Sequence, residues 1–223
     1  GEEIVEPPTE PGPFQIYNSG SPGMVALLQG WGAEAHRGKP GRGRMETTIS
    51  AIRDAEADLI VTIGGAPVGD HDLVRSAGAA LGLELRVASV AVRPGKPTFF
   101  GVLGDGRRML GLPGNPASAF VCAELFLKPI IQRYTGGNGD LALVTAKLDQ
   151  LLAANGDREH WMRAHVEHRE GELRVTAYSD QDSSLVSVFA LANALLRRLP
   201  GARAAEAGDI VEIMPLPRAW ADA

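Results

Sequence analysis

Three glycine- and proline-rich segments carry residue types suited to holding an anion: Gly64-Gly65-Ala66-Pro67-Val68-Gly69-Asp70, Pro94-Gly95-Lys96-Pro97 and Gly111-Leu112-Pro113-Gly114-Asn115-Pro116. Glycine lets backbone N–H groups approach a phosphate or oxyanion, and a helix starting just after such a turn adds positive potential. Taken alone, each segment reads as a tight turn. Together at the ends of strands in one sheet they point to a phosphate or oxyanion site, although neither the Rossmann nor the P-loop spacing is met. Two readings fit Asp70 and Asp72: caps of the next helix, or carboxylates that hold a hard cation such as Mg²⁺ against phosphate oxygens. Lys96, set between two prolines, is a directed cation on a stiff loop. His160, His165 and His168 crowd one segment, but His165 and His168 fall on opposite faces of a regular strand, which argues against a shared metal. Cys122 sits in an apolar run and reads as core. No serine–histidine–acid order suggests a hydrolase.

These residues need elements to place them. Ser21-Pro22 reads as a helix start, with the serine as cap and proline at the first position. That helix should run to about Gly30, and residues 34–37 form a short strand candidate. Apolar residues from about Met45 recur at helical spacing. Residues 58–63 are almost continuously apolar, as in a strand buried on both faces, and break at Gly64-Gly65. A helix over 72–81 and a strand over 85–92 follow. Residues 98–103 and 107–110 flank Gly104-Asp105-Gly106, a hairpin signal. Asn115 as cap and Pro116 at the first turn open a long apolar helix ending near Tyr134. The alternation predicts a parallel-type α/β sheet with helices on both faces. Beyond Asn138 the pattern changes to short strands, at 161–168, 173–178 and 210–214, with Met162, Ala164 and Val166 on one face. A small β-barrel or sandwich is expected there, and each part looks large enough to hold a core of its own.

Composition narrows the classes. The 223 residues are 44% hydrophobic and 22% charged, ordinary for a folded soluble chain. A net charge of -5, mixed along the chain, offers no footprint for nucleic acid. One cysteine excludes an internal disulfide and a cysteine-based metal site. No apolar run is long enough for a membrane span and no signal peptide is apparent, so a cytoplasmic protein is expected.

The chain resembles the C-terminal half of the molybdopterin molybdotransferase family, which includes a bacterial enzyme and the E domain of gephyrin. Glu2-Glu3-Ile4-Val5 resembles the end of a Ser-Thr-Gly-Asp-Glu-Leu-Val segment, and Gln15-Ile-Tyr-Asn18-Ser19 a segment ending Asp/Asn-Ser-Asn. Ile63-Gly-Gly-Ala-Pro-Val-Gly69-Asp70-His-Asp72 resembles Ser-Gly-Gly-Val-Ser-Val-Gly-Glu/Asp-x-Asp, and the other two glycine loops match closely, through Ser118. Arg158-Glu-His-Trp-Met-Arg163 resembles Arg-Pro-Glu-Phe-x-Arg, and Gln181-Asp-Ser-Ser184 resembles Gln-x-Ser-Ser. The sequence departs at Gly20, Ile63, Pro67 and Arg93, and Lys39-Pro-Gly-Arg-Gly43 lacks paired acids.

The resemblance implies insertion of molybdate into adenylylated molybdopterin with Mg²⁺ and release of AMP. It implies catalytic roles for Asp70, Lys96 and Arg158, and metal binding by Asp70 and Asp72. Substrate contacts would come from Asn18, Ser19, Gly64, Gly65, Gly69, Asp72, Pro94, Gly95, Gly111, Pro113, Gly114, Asn115, Ser118 and Ser184. The expected organisation is an irregular remnant of a preceding domain at 1–14, a molybdopterin-binding domain at 15–140, a β domain at 141–218 and a tail at 219–223. A hinge at 136–140 would let the β domain close over the sheet. With the family's first two domains missing, the piece should fold but turn over poorly, and the full-length protein should be a homodimer. No nucleic-acid or membrane partner is expected. Two alternatives stand beside this reading: a non-catalytic gephyrin-like scaffold or molybdopterin-binding protein, and a molybdopterin adenylyltransferase, which leaves the β part unaccounted for.

Overall fold

The computed structural model describes residues 4–38, 43–65 and 72–217. It begins with a small parallel pair, β1 (Ile4–Val5) and β2 (Ile16–Tyr17), so the proline-rich start is not wholly irregular. Proline blocks long strands here but leaves room for a two-residue pairing. The helix α1 (Gly20–Gly30) starts one residue before Ser21; Ser19 holds the cap position without a side-chain cap bond. Asn18 supplies that bond instead, its Oδ1 accepting from the Ser21 N–H at 3.1 Å. Residues 34–37 pair with no strand, which corrects that expectation.

The helix α2 (Met45–Arg53) leads into β3 (Leu59–Ile63), followed by α3 (Leu73–Ala80). The expected strand at 85–92 is two pieces, β4 (Glu84–Val87) and β5 (Val92–Arg93). The hairpin is β6 (Phe99–Val102) and β7 (Arg108–Leu112). The sheet order is β3-β7-β6-β4, parallel only between β3 and β7. The class is α/β, but β3 lies at an edge and is only part-buried, not sandwiched on both faces. Its Val61 and Ile63 pack against the large core while Ile60 packs against a smaller one.

A continuous helical stretch follows: α4 (Pro116–Cys122), a π-helical segment Ala123–Leu127, and α5 (Lys128–Tyr134). In the π segment Glu124 is buried, held by Lys128 Nζ at 3.0 Å.

The second unit comprises β8 (Val144–Leu148), β9 (Glu159–Arg169), β10 (Glu172–Ala177), α6 (Val186–Leu191), β11 (Ala194–Arg198) and β12 (Ile210–Pro215). The order β10-β8-β12-β11-β9, with β9 also paired to β10, closes a five-stranded barrel. Closure removes free edges. Met162, Ala164 and Val166 face the barrel core, as the alternation predicts.

The two units are not separate. The strand β5 pairs in parallel with β9, and the Glu159 N–H donates to Ala91 O at 3.0 Å. Phe120 of α4 stacks on Phe189 of α6 at 5.3 Å, and one core cluster runs from Leu110 and Leu125 to Trp161, Leu195 and Met214. The largest core cluster is shared between the two units, beside one that lies inside the barrel and one that lies within the sheet unit. Among the described residues, no helix is long and apolar enough to cross a membrane.

Candidate functional site: a cationic cleft between sheet and barrel

The end of β3, the loop after β5, the start of α4 and the rim of the barrel enclose a cleft of about 620 Å³. Gly64 and Gly65 turn the chain after β3 with φ of +79° and +76°, a region that favours glycine. Gly64 also lies so close to Gly114 that a Cβ on either would come within 3.3 Å of the other's Cα. Two of the three sequence loops are thus packed backbone to backbone.

The third loop brings Arg93, Pro94, Gly95 and Lys96 to the same cleft. Gly95 O accepts from the Thr98 N–H at 2.9 Å, which closes the turn carrying Lys96. Cys122 packs behind this loop, and burial pushes its thiol up to about 12, so it is inert core, as expected. Ser118 and Asn115 at the start of α4 complete the sheet side. Asn115 takes the cap position but does not cap: its Nδ2 donates to Ser183 Oγ at 2.5 Å.

The barrel supplies Arg158, His160, Gln181, Asp182 and Ser183. Asn155 fixes the turn bearing Arg158, donating to Arg158 O at 2.8 Å and to the carbonyls of Arg198 and Leu199. Gln181 clips onto β9, its Oε1 accepting from the Arg163 N–H and its Nε2 donating to Arg163 O, both at 2.9 Å. Ser118 N–H donates to Ser183 O at 3.3 Å, tying this loop to α4. Among the described residues, the side chains of Arg93, Lys96 and Arg158 have no hydrogen-bond or ion-pair partner. Among the described residues, three free cations face the cleft against one carboxylate, that of Asp182, an excess of positive charge suited to an anion. Hydrogen bonds from Ser184 hold that carboxylate below its usual range, with the charge of Arg163 helping less.

Several sequence expectations need correction. Ser184 does not line the cleft; its hydroxyl donates to Asp182 Oδ1 at 2.6 Å, and Ser183 is the lining serine. Gly111 lies inside β7, where the ring of Phe99 fills the space a side chain would take, so its role is packing. Asn18 and Ser19 form the start of α1 beside Ile63 and do not line the cleft. Asp72 caps α3, accepting from Arg75 N–H at 2.9 Å and pairing with Arg75 Nε at 2.7 Å. Gly69 and Asp70 lie outside the described residues. Among the described residues, no cluster of three His, Cys, Asp or Glu side chains could hold a metal, and Asp72 is committed elsewhere. Of the two expected Mg²⁺ ligands, Asp72 is thus engaged with Arg75 and Asp70 lies outside the described residues. The barrel already sits against the sheet, with β5 paired to β9. His160 was missed as a site residue; it stands where the Arg-Pro-Glu-Phe-x-Arg pattern has glutamate, a signal present in the sequence.

The class of protein is an α/β unit with a cationic, glycine-lined cleft walled on one side by a β-barrel. Residues 1–133 match the family described as "Probable molybdopterin binding domain", and residues 145–216 match "MoeA C-terminal region (domain IV)". The chain belongs to this molybdopterin-binding family, in its MoeA form. It is 28% identical over 217 residues to the molybdopterin molybdenumtransferase of Staphylococcus epidermidis RP62A, covering 96% of this chain and 52% of that protein. Against the Bacillus subtilis 168 protein of the same name, identity is 31% over 214 residues, with coverage of 94% and 49%. A crystal structure of the molybdopterin biosynthesis MoeA protein from Pyrococcus horikosii superposes with a TM-score of 0.79 at 27% identity, covering 96% of this chain and 51% of the other. The chain spans about half the length of the curated relatives it matches.

Proposed function

We propose that the chain carries the molybdate- and nucleotide-handling part of a molybdopterin molybdenumtransferase, which inserts molybdate into adenylylated molybdopterin and releases AMP. The observation that carries this is the convergence of Lys96, Arg93 and Arg158 from two units on one cleft that Ser118 also lines. Guanidinium forks and an ammonium suit the oxygens of a tetrahedral dianion, and the serine adds a donor. At the Gly64–Gly65 turn and the start of α4, the Gly64 and Ser118 N–H groups are already bonded to Leu112 O and Ser183 O and Pro116 has none, so phosphate oxygens would be met mainly by the side-chain cations. Catalysis would then be positioning and charge compensation. The divalent cation implied by the resemblance would rest on Asp70, and no step is assigned to it. Cytoplasmic location and homodimerisation belong to the same reading, as does a division into domains at 15–140 and 141–218.

The test is titration of the chain with molybdate and, separately, with AMP. Arg158→Ala should weaken molybdate binding about tenfold or more while AMP binding changes little, a split equal to roughly 1.4 kcal/mol. Equal molybdate affinity in the variant would remove Arg158, and with it the two-unit site, from the reading.

A further inference from the structure

Arg163 belongs to β9, where Met162, Ala164 and Val166 face the barrel core. Alternation along the strand sends Arg163 the other way, and its registered neighbour Leu195 packs in the core shared with the sheet unit. The residue is 0% exposed, and its Nε, Nη1 and Nη2 are all buried without a hydrogen-bond partner among the described residues. Arginine does not shed its proton in proteins, so the buried charge stays. A buried charge lacking such partners lowers stability, and an apolar side chain of similar volume is often neutral or better in its place. Holding the fold together does not account for this guanidinium.

The loop beside it does. Gln181 meets both backbone groups of Arg163, and the Tyr178 N–H donates to Arg163 O at 3.0 Å. From this anchored loop Gln181, Asp182 and Ser183 line the cleft. Asp180 and Asp182 are exposed, their carboxylates holding the turns of the loop. Asp180 Oδ1 accepts from the Asp182 N–H, and Asp182 Oδ1 from the Ser184 N–H, both at 2.8 Å. Among the described residues neither carboxylate is in an ion pair. Burial is the main influence on the Arg163 guanidinium, and the charges that oppose it are those of Asp180 and Asp182.

We propose that Arg163 acts on the ligand through Asp180 and Asp182: from behind the wall its charge offsets both carboxylates and lets the cleft accept a tetrahedral oxyanion that the guanidinium never touches. The inference rests on the reading of the cleft as an oxyanion site. Without this cation, two negative charges on the wall would face the anion unopposed. A buried charge is screened by salt and water much less than a surface one, so it can work at a distance.

The test titrates molybdate, with sulfate as a second tetrahedral dianion, into the 223-residue chain and its variants. Arg163→Met removes the charge and keeps an unbranched side chain. It should bind molybdate at least about threefold more weakly, while its urea midpoint equals or exceeds the parent's. A side chain serving only the fold would lower the midpoint and leave the affinity alone. Asp182→Asn keeps an Oδ1 that can accept from Ser184, so the turn persists. Added to Arg163→Met, it leaves one charge of each sign removed and should restore affinity to within about twofold of the parent. Parent-like affinity in Arg163→Met, no recovery on adding Asp182→Asn, or loss of the fold in Arg163→Met each overturns the role of Arg163 and leaves the cleft reading intact. A parent chain that binds neither dianion overturns both.

Discussion

Burial and four nearby arginines depress the His160 pKa from 6.5 to about 4. The sign of the consequence follows from proton counting: between those values the unfolded chain holds a proton that the folded ring refuses. The stability contributed by the neutral ring is complete above about pH 6.5 and is lost as pH falls toward 4. Replacing His160 with Gln should flatten this acid-side decline, read as urea midpoints across that range; an unchanged decline assigns it to other groups. At this scale much of the site was legible. Gly64, Gly65, Lys96, Pro113 and Gly114 reach the cleft because their loops follow strands, while Ser118 sits in the first turn of α4 and Arg158 just before β9. Ser184 was one residue off, since only the hydrogen bond to Asp182 decides which serine turns inward. Gly111 looked like part of a ligand loop because its demand comes from Phe99, which is distant in sequence. His160 was hidden because its neighbours come from β5 and β11.

The strand β9 meets β10 only as far as Ala164, and β5 takes up its start at Glu159 and His160. In the interval, the Gln181 side chain stands in for a strand, meeting both backbone groups of Arg163. Gln181→Ala leaves that N–H without its acceptor and should cost about 1–3 kcal/mol. Amide exchange at Arg163 should also quicken, and protection equal to the parent's would show that the clip is dispensable. Helix starts and the 104–106 hairpin were legible because proline and glycine punctuate locally. The π-helical segment was not, because it hinges on burying Glu124 with Lys128. The strand β11, with sequence Ala-Leu-Leu-Arg-Arg, is too short an apolar run to separate strand from helix by period.

The core shared between sheet and barrel should make the chain unfold as a single cooperative unit. Far-UV circular dichroism and the fluorescence of Trp161 should report one coincident urea transition. Phe189→Ala should lower both midpoints together, by roughly 3–5 kcal/mol of stability, because it empties the contact with Phe120. Two separated transitions would restore the picture of independent domains. The sequence suggested that picture because the change of pattern near Asn138 is real, whereas docking depends on surfaces no periodicity reports. The short β5–β9 ladder also bears on inheritance. A crossover between related genes within 138–143 would keep every element whole, yet draw Arg93 and His160 from different parents. Those two residues are registered neighbours lining one cleft, so lineages should alter them as a pair, and the apparent seam in the chain is a poor place to shuffle it.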